Sequence, residues 1–259
     1  MQHKLLATCA AIAVFLGGCY YGSQKSNKPT SSLPKIHLKH DNTKSNIPNL
    51  FNIHTIDSKP FSYQHGHKKL VLGKLDHFGR ATGSHIQLKE SQTPTAKRAA
   101  RLTVNPSGWH NYKFRVASTG KTQWLFNRGH LVGYQFCGLN NEKRNLVTET
   151  TYLNQGSLNG MDSQNDKAML FYENRLRKWM IQHPQCSLDY SVIPIFNSNE
   201  LVPRSVKLTF VGYSTHGTKM RIKMPTKRIT TIGKISTVYL KNTSPQATIN
   251  YQTGRAEVN

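Results

Sequence analysis

The chain has 259 residues, enough for one sizeable core with a tail. Lys and Arg number 35 against 12 Asp and Glu, a formal net charge of +23, so the expected partner is a polyanion: nucleic acid, anionic lipid or an acidic wall polymer. With few acids and no short D-x-D or E-x-D cluster, a site clamping two metals through bridging carboxylates is disfavoured, and a one-metal mechanism fits better.

Residues 1–19 read as an export signal: Lys4 at the positive end, then an apolar run from Leu5 to Leu16, too short to cross a bilayer comfortably. Leu16-Gly17-Gly18-Cys19 resembles a lipobox, with Cys19 as the lipidated residue; an ordinary signal peptide is the rival. Cys9 would leave with the signal, while Cys137 and Cys186 are either a disulfide or two thiols. Residues 20–49 are polar and without periodicity, as in a disordered tether. The expected destination is outside the cell, at the outer face of the cell membrane as a lipoprotein through Cys19, or secreted.

The folded part is expected over 50–259. Lys69–Leu72 reads as a strand, and 76–88 as a turn followed by a strand. Lys97, Arg98 and Arg101 form a basic segment, either a solvated face or a phosphate contact, since a polymer needs a basic path to a site. Met169, Tyr172, Leu176, Trp179 and Met180 share one face of a helix over 165–182. Asn165 or Asp166 would cap its start, and His183-Pro184 would end it. Thereafter the apolar period is two: Leu188, Tyr190, Val192, then Val206, Leu208, Phe210, then Met220, Ile222, Met224. The result is an α+β chain with antiparallel sheet.

Chemistry concentrates at Asn127-Arg128-Gly129-His130. A histidine can take a proton from water near neutral pH, and an arginine can offset the charge of a pentavalent phosphorus. Taken alone the group is weak, since most such histidines are structural. Asn154, with Gly156 two residues on, competes as a helix-end cap; Glu173 and Arg177 compete as an exposed helix ion pair. Tyr172, Leu176 and Trp179 read as core. His65, His67 and His77 lack the partners and spacing of a zinc finger.

N-R-G-H followed by L-V-G-Y-Q-F resembles the D-R-G-H motif of the DNA/RNA non-specific endonuclease family, the ββα-metal nucleases. Asn145-Leu146-Val147-Thr148-Glu149-Thr150, Tyr152-Leu153-Asn154-Gln155 and Tyr172-Glu173 fit its downstream pattern. Pro106-Ser107-Gly108-Trp109 and Asn199-Glu200-Leu201-Val202-Pro203 resemble flanking segments of its Gram-positive branch, with its streptodornase-like enzymes. The likeness runs over roughly 69–255, and four spaced motifs make it specific. It implies a ββα-metal core on a central antiparallel sheet with flanking helices. It also implies a sequence-non-specific endonuclease that cuts DNA and RNA to 5′-phosphate ends. His130 would be the general base and Asn154 the one protein ligand of Mg2+, with Mn2+ as substitute. Glu173 would orient water on the metal, Asn145 would support the site, and Arg128 and Arg177 would stabilise charge. One departure stands out: the motif usually begins with Asp, and here it begins with Asn127, which keeps the shape and one acceptor but not the charge. The alternatives are a DNA-binding lipoprotein without turnover, as for DNA uptake, and a basic lipoprotein holding an anionic wall polymer.

Overall fold

A computed structural model describes residues 56–116 and 119–259. The expected signal over 1–19, its Cys19 and the tether over 20–49 lie outside the described residues. The strands are β1 (Lys69–Leu72), β2 (Ser84–Lys89), β3 (Lys113–Arg115), β4 (Thr122–Trp124), β5 (Phe126–His130), β6 (Leu146–Thr150), β7 (Ser187–Ile195), β8 (Ser205–Tyr213), β9 (Lys219–Met220), β10 (Thr230–Ile232), β11 (Ile235–Lys241), β12 (Ala247–Asn250) and β13 (Arg255–Val258). The α-helices are α1 (Tyr134–Cys137), α2 (Thr151–Gln155) and α3 (Met169–Gln182).

The main sheet is antiparallel in the order β1-β2-β7-β8-β11-β10, with β9 beside β8. The alternation along its strands separates two chemistries. Ile86, Leu88, Leu188, Tyr190, Val192, Leu208 and Phe210 are buried in one cluster with Tyr172, Leu176 and Met180 of α3. The alternate positions His85, Gln87 and Asp189 are buried too, but polar, and they bond one another and a strap from residues 56–66. Phe61 stacks on His85 at 3.6 Å between ring centres, and its N–H donates to Asp189 Oδ2. Gln64 N–H donates to Gln87 Oε1, so the strap covers the polar face and pairs Gln87 and Asp189.

Two sequence expectations give way here. The helix starts at Met169, not 165, because the proposed caps are engaged elsewhere. Asn165 bonds Gly156 O and Lys167 N–H, Asp166 takes Thr226 and Arg228, and the N-cap is Ala168. The alternation through Met220, Ile222 and Met224 is not a long strand, since β9 ends at Met220. Ile222 is buried in the core without a ladder partner, and Pro225 follows. Cys137 and Cys186 are both free thiols.

Candidate active site

β5 and β6 form their own antiparallel pair, in which Asn127 faces Glu149, Arg128 faces Thr148, Gly129 faces Val147 and His130 faces Leu146. The intervening loop is stapled by Asn145, fully buried. Its Oδ1 accepts from Ser84 Oγ (2.6 Å) and Val132 N–H (3.0 Å), and its Nδ2 donates to Val132 O (2.9 Å). β6 runs straight into α2. Thr150 caps that helix by accepting Leu153 N–H on Oγ1 at 3.0 Å. Gly156 ends it in the left-handed region at φ 86°, where an added Cβ would lie 2.2 Å from Asp162 O. Two strands and one short helix thus present His130 and Asn154 to a single cleft of about 330 Å³, together with Arg98, Gly133, Gln135 and Glu173.

His130 is 8% exposed. Its Nε2 donates to the backbone carbonyl of Asn140 at 3.0 Å. A carbonyl can only accept, so in the neutral ring the proton sits on Nε2 and Nδ1 keeps its lone pair. Burial holds its pKa below 6.5; the Asn140 carbonyl opposes this, and the charge of Arg98 adds to it. At neutral pH the ring is therefore a base with its acceptor nitrogen free of its own proton.

Asn154 donates Nδ2–H to Glu149 Oε2 at 2.8 Å, and among the described residues nothing donates to its Oδ1. Glu149 is fully buried, and its carboxyl is pushed up to about 8 by burial, against the Asn154 amide and with the charge of Glu173 adding. Glu173 Oε1 accepts Gly133 N–H at 3.1 Å. Its carboxyl is pushed up to about 7 by burial, opposed by bonds from Gln135 and Gly133 and by the charge of Arg98. Each acid lies against a glycine. A Cβ on Gly129 would come 2.1 Å from Glu149 Oε2, and one on Gly133 would come 2.6 Å from Glu173 Oε1. An amide oxygen with no protein donor, close to two buried acids that a cation would help to ionise, suits a hard divalent cation. Among the described residues no group of three or more His, Cys, Asp or Glu forms a protein-only cage. Such a set fits a cation that keeps most of its own water, as Mg2+ does.

The remaining site residues expected from sequence divide. Arg98 lines the cleft; Lys97 and Arg101 are exposed and do not. The basic segment is tied to the rim through Ala99 N–H on Asn140 Oδ1 and Tyr134 OH on Ala96 O. Asn145 positions the loop after His130 rather than reaching the cleft. Arg128 bonds Asn105 Oδ1 and lies over the Trp109 ring at 4.4 Å. Arg177 pairs with Glu90 at 2.9 Å and not with Glu173, so the i+4 pair on α3 does not form and this guanidinium is not part of the cleft lining. Sequence reasoning passed over Glu149, although an acid inside the run Leu146–Thr150 was a visible oddity. Asn140 also escaped notice, because its share in orienting His130 is made by the backbone. A larger hollow of about 630 Å³ beside Phe78, Ile193 and Phe196 is mostly apolar. Its Arg80 is consumed by Asp76, Ser198 O and Glu200 O, so it offers no comparable chemistry.

The family model for DNA/RNA non-specific endonucleases matches residues 60–211. A solved structure described as an extracellular nuclease is 36% identical, with 79% of this chain and all of that one aligned at a TM-score of 0.64. One described as an extracellular endonuclease is 37% identical over 78% of this chain and 91% of that one, with TM-score 0.66. NucA from Streptococcus agalactiae, solved with a magnesium ion bound, is 20% identical over 74% and 79% of the two chains at TM-score 0.54, a likeness of fold alone. No curated protein matches the chain.

Proposed function

The chain belongs to the DNA/RNA non-specific endonuclease family and is a nuclease, and from that premise we propose that it hydrolyses phosphodiester bonds of DNA and RNA with one Mg2+, leaving 5′-phosphate ends. The observation that carries this reading is the opening of His130 and Asn154 onto one cleft, from a strand pair and the helix that follows it.

His130 Nδ1 takes a proton from water as the water oxygen bonds to phosphorus. The P–O3′ bond breaks on the opposite side, the phosphate stays on O5′ of the downstream fragment, and O3′ of the upstream fragment leaves as a hydroxyl with a proton from solvent. The Asn140 carbonyl holds the imidazole in the tautomer this step requires. Arg98 offers positive charge to the phosphate oxygens as their negative charge grows. Asn154 holds the cation by Oδ1, and the negative charge of Glu173 favours it there. A Mg2+ ion held there would supply charge neutralisation to the reacting phosphate. Mn2+, equally served by oxygen donors, is expected to substitute. Arg128 and Arg177 join the chemistry only if they leave Asn105 and Glu90. Lys97 and Arg101 serve the strand outside the cleft.

Affinity without sequence preference follows from a net charge of +23 directed at phosphates. Residues 1–19 are proposed as an export signal, with Cys19 as lipid site, and 20–49 as the tether of a nuclease domain over 50–259. The two structures described as extracellular support export, and bear on neither the lipid site nor the tether.

The test is purified protein with plasmid and with RNA, in Mg2+ or in EDTA. Cleavage is expected only with the metal, and His130→Ala should lower kcat by about 10²–10⁴-fold. Nucleic acid that stays intact but shifts on a gel would replace this reading with that of a binding protein without turnover.

A further inference from the structure

Glu149 is the one acid of the site region with no role in the reaction above. It faces Asn127 directly across the strand pair. It is fully buried, where an unpaired acid is costly. Room for it exists only because position 129 is glycine. Its Oε2 holds the Asn154 amide at 2.8 Å, while its Oε1 is buried with no partner. Across the ladder, Asn127 Nδ2 is also buried without a partner.

A side-chain amide can turn over with little change of shape, offering oxygen or NH2. Only the oxygen can hold a cation. Once ionised beside a bound cation, Glu149 accepts and does not donate, so the NH2 must face it, as it does at 2.8 Å, and Oδ1 must face away. A neutral amide in its place would accept either orientation. We infer that Glu149 is a positioning residue that fixes Asn154 with Oδ1 turned toward the cation, and that, once ionised beside that cation, it supplies from the facing strand the negative charge that the resembled family motif carries at position 127. A second acid at 127 would set two like charges directly opposite one another, which a strand pair disfavours. The positioning role rests on the reading of Asn154 as the residue that holds the metal.

The experiment is calorimetric titration of the full chain with Mg2+, and separately Mn2+, without nucleic acid and at one fixed pH. Glu149→Gln keeps the size and one acceptor. It should weaken cation binding by about 10- to 100-fold, as loss of an orienting partner does, while the metal-free melting temperature does not fall. The Mg2+ concentration for half-maximal cleavage should rise by a similar factor. The double variant N127D/E149Q returns an acid to the first strand and should recover part of the loss; it also carries the comparison if the single variant does not fold. Asn154→Ala should abolish binding. If Asn154→Ala loses binding and Glu149→Gln binds as tightly as the unaltered chain, the positioning role is wrong and the metal reading stands. If Asn154→Ala itself binds normally, the metal reading fails and takes the inference with it.

Discussion

At the scale of single residues, the site works by protonation states set through burial. His130 is held below 6.5, so kcat/KM should stay level around pH 7 and fall on an acid limb below 6.5 as the ring takes up a proton. Initial rates on plasmid from pH 4.5 to 8 check this; a limb above 7 would identify another base. Glu149 has the opposite sign. Its native pKa of about 8 lies above the ordinary 4.5, so between those values the folded, metal-free chain holds a proton that the unfolded chain releases. Its burial therefore destabilises the metal-free protein progressively as the pH rises from 4.5 to 8. The melting temperature of Glu149→Gln minus that of the unaltered protein should grow over that window by calorimetry and be near zero at pH 4.5. Much of this site could be read from sequence, because N-R-G-H and the spacing to Asn154 are patterns of residue type. Glu149 could not, since its meaning lies in a cross-strand register and in a missing Cβ, neither of which a linear motif records. The Glu173–Arg177 pairing failed for a similar reason: a nearer acid, Glu90, from the short 3-10 turn Glu90–Gln92 after β2 competes for Arg177.

At the scale of elements, α2 is the fragile part. A single turn is far below the length at which a helix holds itself, so tertiary contacts and caps must hold it. Thr150 does this at three points: Oγ1 accepts from Leu153 N–H and donates to Thr243 O, and its own N–H donates to Asn242 Oδ1. Thr150→Ala should cost about 1–2 kcal/mol of stability, as lost caps do. It should also raise the Mg2+ requirement of cleavage, with Thr150→Ser restoring both. A denaturant midpoint and a metal titration suffice, and no change in either would show that α2 is fixed by packing alone. Strands β7 and β8 and helix α3 were visible in the sequence because their periodicity is strong, while β1 and β2 showed only as short strand-like runs beside turn residues. The start of α3 and the end of β9 were not, because the capping residues bond to distant partners and the alternation at Ile222 comes from core packing without a ladder.

At the scale of the whole molecule, charge governs the encounter and the cleft governs the chemistry. With +23 and few acids, the surface should bring phosphate chains in rapidly and without regard to sequence. Raising NaCl from about 50 to 200 mM should therefore increase KM for plasmid by about tenfold or more while kcat changes little, because released counterions enter the binding step only. A kcat that falls in parallel would mean that salt disturbs the site itself.

The two acids seated against Gly129 and Gly133 have a consequence for inheritance. A lineage cannot change either glycine to a larger residue in one step without displacing a carboxyl group, nor is there an incentive to keep the glycine once its acid has shortened. Within descendants of this chain, positions 129 and 149, and positions 133 and 173, should therefore mutate as couples, with a glycine lost only where its acid has gone too.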